Sequence, residues 1–129
     1  TGDGVLAFFG APLAQEDHAA RAVRAATAIL ESCRGMRTSS GKELLMGIGI
    51  ATGEAMVGTV GSVGRMEYTV IGDVVNVAAR LVGLAAASEI LLTEESARLA
   101  GVAGRVDHLG PQPVKGRKEE VQVCRMRLG

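Results

Sequence analysis

Apolar positions along the chain follow two periods, and the switches between them mark the expected elements. Residues 5–9 form an unbroken apolar run after Gly2-Asp3-Gly4, a hairpin-turn signal, and Gly10-Ala11-Pro12 ends it. This run predicts a buried strand. The acidic pair Glu16 and Asp17 suits a helix start, and Val23, Ala26, Leu30 and Cys33 then recur at spacings of three and four. That pattern predicts an amphipathic helix reaching Arg34. Residues 44–51 read as a strand ended by Thr52-Gly53, residues 55–60 as its return strand, and residues 66–71 as another. A helix begins at Asp73 and continues to Leu84. A short strand over 88–93 leads into a short helix for which Thr93 is the expected N-cap. The remainder, with Gly110-Pro111 and Pro113, reads as a loop followed by a final strand over 121–126. The predicted order is β-α-β-β-β-α-β-α-β, an α/β sandwich with mixed, largely antiparallel pairing.

Composition adds limits. The chain has 129 residues, the size of one domain, and 47% of them are hydrophobic. Phe8, Phe9 and Tyr68 are the only aromatic residues, so the core is aliphatic. Fourteen basic and fourteen acidic residues cancel to a net charge of zero. A neutral chain without stacking aromatics is not built for nucleic acid, where affinity comes from phosphate neutralisation. No apolar run is long enough to span a membrane. Cys33 and Cys124 match no zinc or redox spacing, which points to a reduced, cytoplasmic setting.

The helix after Gly72 carries the chemistry. At about 100° per residue, Val74, Val77, Ala78 and Leu81 share one arc, while Asp73, Asn76 and Arg80 lie opposite. Asn76 and Arg80 stack one turn apart. Two readings of this face stay open from spacing alone. It is a solvated face, or it meets a negatively charged, ribose-bearing ligand, because a guanidinium pairs bidentately with phosphate.

Several blocks, in order, resemble a class III nucleotidyl cyclase domain. They are Gly2-Asp3-Gly4-Val5-Leu6-Ala7-Phe8-Phe9-Gly10-Ala11-Pro12, then Gly47-Ile48-Gly49-Ile50 through Thr52-Gly53-Glu54, which matches the family's next hairpin. The most specific block is Arg65-Met66-Glu67-Tyr68-Thr69-Val70-Ile71-Gly72-Asp73-Val74-Val75-Asn76-Val77-Ala78-Ala79-Arg80-Leu81. Pro113-Val114-Lys115-Gly116 resembles the C-terminal hairpin. The resemblance covers nearly the whole chain, so residues 1–129 are expected to form one partial catalytic domain. It implies a ferredoxin-like α/β (α+β) core with a mainly antiparallel sheet. It also implies an ATP or GTP substrate, and a site at the seam of a head-to-tail homodimer or a paired cyclase domain.

The resemblance assigns roles by position. Asp3 falls where the family has the second of its metal-binding aspartates; two Mg²⁺ or Mn²⁺ ions would assist attack of the ribose 3′-hydroxyl on the α-phosphate. Asp-Gly is also an ordinary turn pair, and the turn can present the carboxylate. Asn76 matches the ribose-orienting residue and Arg80 the arginine that stabilises charge on the transferring phosphate. Lys115 matches a cation for the terminal phosphates, although Lys115-Gly116-Arg117-Lys118 also reads as a solvated basic loop. Thr69 takes the place of a base-selecting residue and is also an ordinary β-branched strand residue. Its hydroxyl can donate or accept at adenine N6 or N1, and guanylate cyclases usually differ here.

In the family, the other metal aspartate, the phosphate loop and the purine-selecting lysine precede the position of Thr1. The expectation is therefore a domain lacking its first strand and helices, inactive as supplied, in a parent protein that makes cyclic AMP. The competing readings are a guanylate cyclase and a non-catalytic cyclase-homology module that binds nucleotide or dimerises. Retention of Asp3, Asn76 and Arg80 together argues against the last, since binding alone has no need of a transition-state arginine.

Overall fold

The computed structural model describes residues 4–11 and 13–128. The expected turn at Gly2-Asp3-Gly4 and the break at Pro12 involve residues outside that range. These described residues form three helices, six strands and one 3₁₀ turn. They are α1 (His18–Cys33), β1 (Ile48–Ile50), β2 (Met56–Ser62), β3 (Arg65–Ile71), α2 (Asp73–Leu84), β4 (Ile90–Thr93), α3 (Glu94–Ala100), the turn Ala103–Arg105, β5 (Val106–Gln112) and β6 (Val121–Met126). The main sheet has the order β1-β4-β6-β5, with β1 parallel to β4 and the other pairs antiparallel. β2 and β3 make a separate antiparallel ribbon.

The sheet is covered on both faces, which explains the unbroken apolar run of β4. Side chains alternate along a strand. Ile90 and Leu92 therefore point to one face, where they join Val23 and Ala26 of α1 and Ala97 of α3. Leu91 points to the other, where it meets Leu81 of α2 and Val123 of β6. The result is a three-layer α/β domain. α2 lies close against β1 at Gly49. A Cβ built there would stand 2.6 Å from the Ala78 carbonyl oxygen and 2.8 Å from Leu81 Cβ, so only glycine permits this approach.

Three expectations are corrected. Residues 5–9 are not a strand: Val5 is 94% exposed, and among the described residues no strand pairs with this run. An apolar run becomes a strand only where neighbouring backbone accepts its hydrogen bonds. Residues 44–51 and 55–60 do not pair as a hairpin. Only Ile48–Ile50 is a strand, and it pairs with β4, while Met56–Ser62 pairs with Arg65–Ile71. β1 is held by burial on α2 and β4, not by its neighbour in sequence. The stretch around Gly110-Pro111 is not a loop but β5. Proline is tolerated there because β5 is an edge strand, and the register shifts between His108 and Gly110. Elsewhere the predicted helices and the final strand appear within a few residues of their expected bounds.

Candidate active site

The site is built where β3 runs into α2. Thr69 is half-buried near the end of β3 and pairs across the ribbon with Gly58. Val70 beside it is buried and roots the ribbon in the body. After Gly72 the chain turns into α2, whose polarity follows the expected wheel. Val77 and Leu81 are buried, and Asn76 and Arg80 are exposed one turn apart. Among the described residues neither side chain makes a hydrogen bond, and Arg80 makes no ion pair. The helix thus offers an unengaged amide and guanidinium to solvent.

The turn that carries Lys115 meets α2 through its neighbours in sequence. Val114 is 5% exposed and packs with Val77 of α2 and Val121 of β6. The Arg117 N–H donates to the Val114 carbonyl at 3.0 Å, closing a turn with Lys115 and Gly116 at its corners. Gly116 has φ of +87°, as the third position of a type II turn requires. Lys115 is therefore held at the exposed tip of a turn whose base is anchored against α2.

The sequence reading missed one contact. The Arg117 guanidinium donates to the Asp73 carboxylate at 2.7 Å, joining the Lys115 turn to the first turn of α2. The two residues are 44 positions apart, so no local pattern announces the pair.

A cleft of about 450 Å³ lies beside this contact, lined by Thr52, Glu54, Asp73, Glu94, Glu95, Arg117 and Glu120 among others. It contains none of Thr69, Asn76, Arg80 and Lys115. Its lining carries five carboxylates against one guanidinium, which suits a polyphosphate poorly. The open face of α2 that bears Asn76 and Arg80 lies outside this cleft. Asp3 lies outside the described residues. Among the described residues no group of three or more His, Cys, Asp or Glu is placed to hold a metal ion. Among them too, no helix is long and apolar enough to cross a membrane.

Comparison with known proteins agrees with this architecture. The chain superposes on the guanylate cyclase domain of RhGC from Catenaria anguillulae, solved in complex with GTP, with a TM-score of 0.80 at 28% identity; 92% of this chain and 64% of that one are covered. It superposes on the adenylyl cyclase CyaB from P. aeruginosa with a TM-score of 0.77 at 30% identity, covering 94% and 65%. Adenylate cyclase 1 of Rhizobium meliloti (strain 1021) is 45% identical over 87 residues, which are 64% of this chain and 13% of that protein. The chain thus spans just under two thirds of those solved cyclase chains and a small part of that curated relative.

Fold and sequence together define a nucleotide cyclase domain. The model of the adenylate and guanylate cyclase catalytic domain matches residues 1–125, and the chain belongs to that family.

Proposed function

We propose that this chain is part of an adenylate cyclase domain that converts ATP to 3′,5′-cyclic AMP and pyrophosphate. The observation that carries the proposal is the pairing of Asn76 and Arg80, exposed and unengaged on one face of α2, directly after the strand that bears Thr69. The ribose 3′-oxygen forms a bond to the α-phosphorus as the bond to pyrophosphate breaks. Asn76 orients the ribose through its amide. Arg80 meets the charge that develops on the transferring phosphate, where a preorganised donor is worth a few kcal/mol of barrier. Thr69 contacts the adenine edge, and Lys115 the terminal phosphates. Asp3 would supply a carboxylate to Mg²⁺ or Mn²⁺, which takes one or two carboxylates together with substrate phosphates. When bound, these ions lower the pKa of the attacking hydroxyl and neutralise charge on the leaving group.

The open position of these residues favours a site shared between two copies, with Asp3 of one chain facing Thr69, Asn76 and Arg80 of its partner. Free thiols at Cys33 and Cys124 suit the cytoplasm.

The test uses the longer polypeptide that carries a whole catalytic domain, with ATP and GTP compared in Mg²⁺. Cyclic AMP as the main product supports the proposal. Cyclic GMP would make it a guanylate cyclase, a reading favoured by the superposition on the GTP-bound domain from Catenaria anguillulae. Nucleotide binding without either product would make it a signalling module. Mixing Asp3→Ala with Arg80→Ala protein restores part of the activity if the site is shared, and no rescue removes that claim.

A further inference from the structure

The ion pair between Asp73 and Arg117 joins the first turn of α2 to the turn that carries Lys115. Asp73 lies on the same face of α2 as Asn76 and Arg80, about 4.5 Å and about 10.5 Å from them along the axis at 1.5 Å per residue. Arg117 is the last residue of the turn that carries Lys115. That turn is fixed at its start by buried Val114 and across its base by the Arg117 N–H bond to Val114. The guanidinium bond to Asp73, at 2.7 Å, is the third tether, and it ends on the first turn of α2, one turn before Asn76.

We propose that Arg117 is a positioning residue whose bond to Asp73 holds the Lys115 turn in register with Asn76 and Arg80. This rests on the cyclase reading of the site and names how its phosphate-binding cation is placed. Arg117 does not touch the nucleotide. It works through Asp73, and its own charge is consumed in the pair. Tethering removes freedom that the turn would otherwise lose when the nucleotide binds, so binding gains and the chemical step does not. The pair contributes little to folding, because its side chains are 35% and 52% exposed.

The experiment measures initial rates with the longer polypeptide carrying Arg117→Gln, Asp73→Asn, both changes together, or Arg117→Lys. Each single neutral variant raises the KM for nucleoside triphosphate about tenfold and leaves kcat within about threefold. The double variant is no worse than either single one, because each removes the same contact. Arg117→Lys keeps the charge and recovers part of the loss. Melting temperatures stay within about 4 °C of wild type, as for an exposed pair.

Additive effects in the double variant would mean that Arg117 contacts the nucleotide directly, and would overturn the proposal. So would an unchanged KM, or a fall in kcat alone. Wild-type protein run alongside separates the two levels. Wild type that turns over nucleotide while the variants match it sinks the tether and leaves the cyclase reading standing. Wild type that neither binds nor turns over nucleotide removes both.

Discussion

The hydroxyl oxygens of Thr52 and Ser96 lie 2.7 Å apart, although 44 residues separate them in sequence. Ser96 is fully buried, and the Thr93 hydroxyl donates to its Oγ at 2.9 Å. Its N–H in turn donates to Thr93 Oγ1 at 3.0 Å, the cap expected from the sequence. One serine therefore joins the segment after β1 to the start of α3. Ser96→Ala removes both side-chain bonds and costs about 1–2 kcal/mol of stability, readable by urea unfolding. A change under about 0.3 kcal/mol would show that the cluster is incidental.

Packing at Gly49 makes a sharper claim. Gly49→Ala places a methyl group 2.6 Å from backbone of α2 and costs about 1–3 kcal/mol through overpacking. Gly58 has nothing within 4 Å of the added atom. Gly58→Ala leaves stability unchanged or raises it by up to about 1 kcal/mol. Equal effects at the two positions would contradict the close approach of β1 and α2.

At the start of α1 a carboxylate is held ionised. The hydrogen bond from Arg21 Nε at 2.8 Å, and then its charge, lower the Asp17 pKa despite an opposing desolvation effect. A lowered carboxylate contributes stability above the unfolded value of about 3.9. That contribution is lost as pH falls through the lower folded value. Arg21→Gln moves the Asp17 titration upward toward the ordinary range, which carbon-detected NMR can follow. No movement would mean that the pair is absent in solution.

The two thiols differ in reactivity. Burial, and then the nearby charge of Glu94, raise the Cys124 pKa, so it stays protonated and enclosed. Cys33 is only half-buried. A thiol reagent at neutral pH labels Cys33 first, and Cys124 reacts only as the protein unfolds. Mass mapping of the first labelled site checks this.

Arg80 is exposed and unpaired among the described residues, so its removal leaves the fold intact. Under the cyclase reading, Arg80→Ala in the longer polypeptide lowers kcat by about 10²–10³-fold, and the melting temperature does not move. Full activity would remove Arg80 from the mechanism.

What the sequence showed and what it hid follow one physical division. Helix α2 and the Thr93 cap were legible because their causes lie within a few residues: a 3.6-residue period and a hydroxyl three residues before an N–H. The places of Thr69 on a strand and of Asn76 and Arg80 on an exposed helix face were legible for the same reason. β5 was hidden because Pro111 reads as a loop until an edge position makes it harmless. The pairing of β1 with β4 was hidden because long-range burial decided it. The tie between Arg117 and Asp73 crosses the same kind of distance. Residues 5–9 erred the other way: local apolarity called for a strand, and no hydrogen-bonding neighbour met it among the described residues.

The main sheet ends differently on its two sides. β5 carries a proline and a register shift, so a further strand meets a missing donor and a broken ladder there. β1 is a short run of regular backbone, and no described strand covers its outer side. Of the two edges of the main sheet, only that of β1 is regular enough among the described residues to accept a further strand.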